Sequence, residues 1–377
     1  MLRRLGTLLR VSCAAAGVFL GVCYVLGQAL TDRTHATQYL FWLPAVAYAG
    51  MFFVLMLASL LVRRRRRAGE RRRSRAWRVQ AVLFLGVLVH MLVTEWRPWR
   101  ALRASEGTGP SLRVMHWNMT YAVPYWWDRY IAAVLKVPRP DVLIVTNPTL
   151  QDDLDEMAVA LGPEYRAERC GVFAVFTRLR IVQTASMSLN IPADASGTAP
   201  PPGMQRPGEK DESQTDFLPS WSPIPRTGSN VYDPGFAMYV RLDTRELLGR
   251  DLVIWGVDLP SQPRAWRMRS ARAAAAVLDA RASLPADDRR CFPTPDIILG
   301  DCNTPRGSAS LSKISRGYPH AFDQAGYGMV ASWPRTPALF HIDHIFIGPA
   351  LRATSYRTWD MGISEHRAQS AEVRPVP

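Results

Sequence analysis

Residues 296–308 read DIILGDCNTPRGS: an apolar run, then Gly300, then a polar turn that carries Asp301, Asn303 and Pro305. A short apolar run bounded by Gly, Asp, Asn and Pro is a buried strand that runs out into a loop. The same pattern recurs on either side. LRVMHWN ends in Asn118, HIDHIFI carries Asp343, and GISEHRAQS carries Glu365 and His366. One Asp or Asn at a strand end is ordinarily a turn residue. Several strands that all end in polar groups mark the place where an α/β fold gathers a site.

Working outward, strands are predicted over 112–118, 141–146, 172–177, 236–243, 252–257, 296–300 and 342–347, and helices over 126–136, 151–161 and 264–283. Such interleaving predicts a mixed α/β domain over 110–377. Residues 191–232 break the pattern with Pro, Gly, Ser and charge, and are predicted to be an irregular surface insertion. His116, His341 and His344 flank the motif strands and read as packing or hydrogen-bonding residues. Trp126 and Trp127 open a predicted helix and read as core.

The rest of the chain is of another kind. Residues 11–30 and 39–62 contain no charged side chain, and residues 79–94 form a third, shorter apolar stretch bracketed by Trp77, Trp96 and Trp99. About 20 apolar residues suffice to cross a bilayer, so residues 1–109 are predicted to be an anchor of three transmembrane helices, 11–30, 39–62 and 79–96. Arg3, Arg4 and Arg10 precede the first, Arg33 alone lies in the 31–38 loop, and ten Arg lie in the 63–78 loop. The positive-inside rule puts the N-terminus and the Arg-rich loop in the cytoplasm. The large C-terminal domain is then extracytoplasmic on a multi-pass cell-membrane protein, periplasmic in a Gram-negative host. A cleavable leader ending near Ala29 is the competing reading of the first stretch.

Charge follows the same division. The chain carries +14, but residues 1–78 hold 14 Arg against Asp32 and Glu70, which leaves 32 basic and 30 acidic side chains for residues 79–377. A domain so nearly neutral lacks the broad basic face of an extended nucleic-acid binder. Five Cys without a CxxC or Cys/His spacing exclude a disulfide scaffold and a zinc ribbon.

Taken in order, the motifs resemble the endonuclease/exonuclease/phosphatase superfamily, the deoxyribonuclease-I-like fold of metal-dependent phosphoesterases, along almost all of residues 110–377. LRVMHWN with Asn118 matches its first-strand motif, Gly300-Asp301-Cys302-Asn303 its GDxN, and Trp333-Pro334 followed by Asp343 in IDHIF its late pair. Ser364-Glu365-His366 stands for its closing Ser-Asp-His. The specificity lies in the series, since GDxN alone is weak. The hydrophobic N-terminus also resembles that of membrane-anchored bacterial members.

The resemblance implies a four-layer α/β sandwich, two packed mixed sheets flanked by helices, behind the transmembrane helices. It implies catalytic roles for Asn118, Asp301, Asn303, Asp343 and His366. Asp343 would orient His366 toward the scissile phosphate, Asp301 would orient or deprotonate the attacking water, and Asn118 and Asn303 would hold phosphate oxygens. Three positions depart from the pattern. Asn147 stands where the family has its main Glu metal ligand, Asp258 where it has a phosphate-facing His, and Glu365 where it has Asp. A divalent-metal site built from Asn147, Asp258 and Glu365, with Mg²⁺ or Mn²⁺ as the ion, is the expectation. The expected function is hydrolysis of a phosphodiester or phosphomonoester, carried by a lipid or small molecule, outside the cytoplasm. The alternative is a catalytically impaired pseudoenzyme of the same fold serving as a membrane-surface binding or scaffold module.

Overall fold

A computed structural model of the chain describes residues 2–64, 76–102, 109–120, 126–148, 152–192 and 233–376. The chain forms two compact units, Met1–Pro98 and Trp99–Pro377. All five cysteines are free. The predicted insertion lies, from residue 193 onward, outside the described residues, as does most of the Arg-rich loop.

The first unit is helical, with α1 (Leu2–Leu30), α2 (His35–Trp42), α3 (Ala45–Arg64) and α4 (Ala76–His90), the last continuing as a π-helical turn over Met91–Trp96. Val11–Leu30 and Trp77–Trp96 are long and apolar enough to cross a membrane. The segment expected as one span over 39–62 is not straight, because α2 and α3 meet at 70°. Pro44 is the cause. Its ring disfavours helical backbone at the preceding residue and it has no N–H to donate, and Leu43 is extended at φ −65°, ψ 116°. Polar groups of the apolar helices pair within the unit: Gln80 Nε2 donates to the Cys13 carbonyl at 2.9 Å, and the Tyr24 hydroxyl meets His90 Nδ1. Phe19, Val25, Val82 and Leu85 are left exposed, a surface that suits lipid rather than water.

Among the described residues the second unit contains eleven strands. They are β1 (Leu112–Asn118), β2 (Val142–Thr146), β3 (Arg166–Cys170), β4 (Phe173–Thr177), β5 (Arg180–Ser188), β6 (Phe236–Asp243), β7 (Leu252–Asp258), β8 (Ile297–Asp301), β9 (Asp343–Ile347), β10 (Leu351–Trp359) and β11 (Ala368–Pro375). One sheet has the order β10-β11-β1-β2-β4-β3 and the other β5-β6-β7-β8-β9. Both are mixed, since β1 pairs parallel with β2 and β7 parallel with β8 among otherwise antiparallel neighbours.

Period-2 alternation builds the layers. Leu112, Val114, Val142, Ile144, Phe173 and Val175 share one core with Met238, Val240, Ile254, Ile297, Leu299 and Ile345, which is the filling between the sheets. The alternate residues Trp117, Leu143, Val145 and Phe176 pack with α5 (Trp127–Val134) and α6 (Asp152–Leu161). On the other sheet Tyr239, Trp255, Val257 and Ile298 pack with Ala271, Ala274 and Leu278 of the helix Arg267–Ala282. This is the four-layer sandwich that the motif series implies.

On the inner face each strand changes character along its length. β1 runs Leu112, Val114, His116, Asn118; β7 ends in Asp258 and β8 in Asp301, and β9 begins with Asp343. Apolar pairs hold the sandwich together, and polar ones collect at one end. Gly300 is required there. Its φ is +142°, and a Cβ would come within 1.8 Å of the Val257 carbonyl oxygen on the neighbouring strand. Gly300→Ala is therefore expected to cost about 3–5 kcal/mol, read as a large fall in the urea midpoint of tryptophan fluorescence for the detergent-solubilised chain. An unchanged midpoint would show that β7 and β8 can separate at this level without penalty.

Candidate active site

The registers bring three carboxylates to one level: Asp258 is paired with Asp301 across β7 and β8, and Asp301 with Asp343 across β8 and β9. Asn118 reaches this row from the opposite sheet, its Nδ2 donating to Asp301 Oδ2 at 2.9 Å. The second Asp301 oxygen accepts the Asn303 backbone N–H at 2.8 Å, which closes the turn after β8. Asn118 Oδ1 accepts from the Thr120 N–H at 2.8 Å and from Asn147 Nδ2 at 3.4 Å. Two of the loops leave their strands through left-handed residues, Asn147 at φ 55° and Asn303 at φ 49°, a conformation that Asn tolerates better than most side chains.

His366 enters from the loop before β11. Its backbone N–H donates to Ser364 Oγ at 3.0 Å, and that hydroxyl donates to the Asn118 carbonyl at 2.6 Å, so the loop is fastened to the end of β1. His366 Nδ1 lies 2.9 Å from Asp343 Oδ2, and Nε2 lies 3.7 Å from Asp301 Oδ2. Asp343 is fully buried, and the Ser332 hydroxyl accepts its backbone N–H at 3.2 Å.

Electrostatics divides these groups into distinct roles. Burial acts against charge on His366, but the Asp343 and Asp301 carboxylates outweigh it and raise the imidazole to about 9. Burial acts against charge on Asp343 as well, yet His366 beside it holds the carboxyl below the ordinary value. Asp343 and His366 therefore form a buried ion pair. Burial and the Asp343 charge push Asp301 up to about 7, poised near neutrality. Asp258 is raised as well, by burial first and then by Asp301 and Asp233.

Of the residues expected from sequence, Asn118, Asp301, Asp343 and His366 are in direct contact. Asn147 sits beside Asn118, and its Oδ1 is buried without a partner. Asp258 completes the carboxylate row. The Asn303 amide turns away to the Leu259 carbonyl at 2.8 Å, and Glu365 is exposed. Asn118 spends its amide on Asp301 and on two loop N–H groups, so it is a clamp across the sandwich. Sequence reading passed over His116, Thr146 and Gln369 as site residues, although all three are fully buried beneath the row. Counting back by two from Asn118 places His116 on its face.

Among the described residues two clusters have metal-ligand spacing, Asp301/Asp343/His366 and His320/His341/His344, each with one atom per residue within 4.8 Å of the others. Hydrogen bonding separates them. His320 Nδ1 accepts the Phe322 N–H at 3.0 Å, so neutral His320 carries its proton on Nε2 and donates to His344 Nδ1 at 3.1 Å. His344 Nε2 then donates to the Thr304 carbonyl at 2.8 Å. The lone pairs of His320 and His344 are committed, and this second cluster is a strut under the Asp301–Pro305 turn.

No family model and no curated protein matches the chain. Among solved structures it is similar to an endonuclease/exonuclease/phosphatase family protein from Bacteroides thetaiotaomicron, at 17% identity over 72% of this chain and 100% of the other, TM-score 0.49. It is similar to a mannosyl-6-phosphatase of the same organism, at 16% identity over 70% and 99%, TM-score 0.49. It is also similar to sphingomyelinase C from Streptomyces griseocarneus, at 16% over 70% and 99%, TM-score 0.41.

The sign of the pH dependence follows from these charges. The His366 value in the fold, about 9, lies above the ordinary 6.5, so its stabilisation is complete below about pH 6.5 and disappears as pH rises through 9. Asp301, near 7 instead of 3.8, costs stability as it ionises, which acts in the same direction. In chelator-treated protein the urea midpoint is expected to fall between pH 6.5 and 9, and His366→Gln to flatten that fall. A midpoint that rises across the interval contradicts the assignment.

Proposed function

We propose that the chain is a membrane-anchored, divalent-metal-dependent phosphoesterase whose catalytic domain acts outside the cytoplasm. The observation that carries this reading is a carboxylate poised near neutrality, Asp301, held 3.7 Å from an imidazolium, His366, that a second carboxylate fixes from behind. In hydrolysis, water attacks phosphorus and the bond to the leaving oxygen breaks. Asp301 takes the proton from the water, and His366 donates from Nε2 to a phosphate oxygen. Asn118 keeps Asp301 in place, and Asn303 shapes the turn that carries it.

The donor set suits a hard cation. The row holds three carboxylates against one imidazolium, the Asn147 carbonyl oxygen is buried without a partner, and the Asp258 carboxyl, hydrogen-bonded to the Asn147 side chain, offers a further oxygen beside it. Asn147, Asp258 and Glu365 would hold Mg²⁺ or Mn²⁺, Glu365 from an exposed loop. The chemistry that such an ion supplies is neutralisation of charge on phosphate oxygens.

The near-neutral domain favours a small or lipid-borne phosphoester over extended nucleic acid. A second reading, a binding module without turnover, rests on Asn147, which offers an oxygen but no charge. Hydrolysis of bis-p-nitrophenyl phosphate and p-nitrophenyl phosphate by the detergent-solubilised chain with Mg²⁺ or Mn²⁺ separates the two. Asp301→Ala and His366→Ala are each expected to lose roughly 10²–10⁴-fold. Calorimetric Mn²⁺ binding should weaken in Asp258→Asn, and no turnover and no binding in the parent rejects the enzyme reading.

The three apolar segments, taken with the Arg asymmetry between the 31–38 and 63–78 loops, support an N-terminus in the cytoplasm and a C-terminal domain across the membrane. An alkaline phosphatase fused after Pro377 is expected to be active. Activity of a cytoplasm-only reporter at that position excludes three spans.

A further inference from the structure

Asp343 makes its bond to His366 through one oxygen only. The other, Oδ1, is buried and closes no hydrogen bond; the Ser332 hydroxyl, which also faces this carboxyl, is shared with the Phe340 carbonyl at 3.5 Å. A bare carboxylate oxygen in a dry interior is costly, more so when the group is held ionised. The side chain next to it is His116, whose Nδ1 lies 3.6 Å away and which is itself fully buried. At that separation the two are in ion–dipole contact and the bond is not closed. Hydrogen bonds of a catalytic constellation are commonly long in the free enzyme and shorten in the substrate complex.

The protons can be placed in two ways. His116 is neutral, since burial, reinforced by His366 and opposed by Asp343, takes it down to about 4. It carries one proton, on Nδ1 or on Nε2. Nε2 lies 2.9 Å from Thr146 Oγ1, a hydroxyl that serves equally as acceptor or donor. Nδ1 lies 3.6 Å from Asp343 Oδ1 and 3.4 Å from the Gln369 amide, which continues to the Tyr356 hydroxyl at 2.7 Å and on to His341 Nε2 at 2.8 Å.

With the proton on Nε2, the chain runs from His341 through Tyr356 and Gln369 to His116 and ends on Thr146. Two acceptors are then left bare, Asp343 Oδ1 and His341 Nδ1. With the proton on Nδ1, every bond reverses. Thr146 donates to Nε2, the Gln369 amide turns its oxygen to Nδ1, its nitrogen donates to Tyr356, and Tyr356 donates to His341. The one Nδ1–H is then shared between the Gln369 oxygen at 3.4 Å and Asp343 Oδ1 at 3.6 Å, so the anion gains a donor, and the group left wholly without a partner is the neutral N–H of His341. An orphaned neutral group costs less than an orphaned anion, which selects the second arrangement.

We propose that His116 is a positioning residue that donates its Nδ1 proton to Asp343, so that Asp343 is gripped between two imidazoles and holds His366 in one orientation toward Asp301. This deepens the phosphoesterase reading and rests on it for its kinetic consequence; the tautomer of His116 is independent of any activity. The residue's place in the sequence gives the same geometry. Two positions before Asn118 on one strand, it shares the inner face and lies one pair deeper in the sandwich.

The experiment uses the full chain in detergent, labelled with ¹⁵N-histidine. Its seven histidines make the two-bond ¹⁵N–¹H pattern tractable, and the His116 signal is the one absent in His116→Asn. The expected pattern is a neutral ring protonated on Nδ1; a ring protonated on Nε2 overturns the proposal whatever the activity. Kinetics supply the second arm. His116→Leu, which fills the site without a donor, is expected to lower kcat roughly 10- to 100-fold at unchanged KM. His116→Asn, whose amide N–H replaces Nδ1–H, is expected to restore most of it. Equal loss in both variants, with native tryptophan fluorescence, reduces His116 to a packing role and overturns the proposal.

Discussion

The row of carboxylates at the ends of β7, β8 and β9 is the constraint to which the rest of this domain answers. Adjacent strands stand roughly 4.8 Å apart, and two full charges at about that distance repel by roughly 3–4 kcal/mol at the effective dielectric of a protein site. Asp258, Asp301 and Asp343 cannot all ionise in a buried setting without compensation. The fold divides the problem. Asp343 keeps its charge because His366 is bonded to it, whereas Asp301 and Asp258 are driven toward the neutral form. A base near neutrality and a donor that stays protonated are thus two consequences of one crowded arrangement.

That arrangement needs both sheets. Asp301 belongs to the five-stranded sheet and its clamp, Asn118, to the six-stranded one, so the 2.9 Å bond between them measures how closely the sheets approach at this end. The apolar filling below, from Leu112 and Val114 to Leu299 and Ile345, sets the approach. The histidine strut on the far side of β9 ties the Asp301–Pro305 turn down through the Thr304 carbonyl. Precision in the site is bought by packing well away from it, which is why a methyl group at Gly300 matters.

What the sequence revealed, and what it concealed, follows from burial. The seven strands read from sequence include both parallel pairs, whose inner and outer faces are covered and whose residues are therefore apolar over most of their length. β3, β5 and β10 escaped because they are edge strands with half-exposed, Arg- and Ser-containing patterns, and β11 because its inward residues include Gln369 and Ala371. The polar ends of β1, β8 and β9 were legible as an ordered series. Gln369 was not, since a polar side chain on the inner face of a strand has no periodic signature, and His116 was seen but read as packing. The bend at Pro44 was written in the sequence, yet uniform hydropathy on both sides of it hid the break.

The two walls of the site differ in kind. Every carboxylate of the row comes from the five-stranded sheet. The six-stranded sheet and its loops supply the amides of Asn118 and Asn147 and the imidazolium of His366. Relative to the pattern that the motifs resemble, one negative charge is missing at Asn147 and one is added at Asp258, so the total is kept while the charge shifts from one wall to the other. The left-handed backbone at Asn147 favours the short amide there, and Asp258 carries its charge at the end of β7, paired with Asp301 across from Asp343. On the proposed phosphoesterase reading, an acidic sheet end facing a donor sheet end orients a phosphoester in one way: its anionic oxygens would turn toward His366, and any cation would side with the carboxylates.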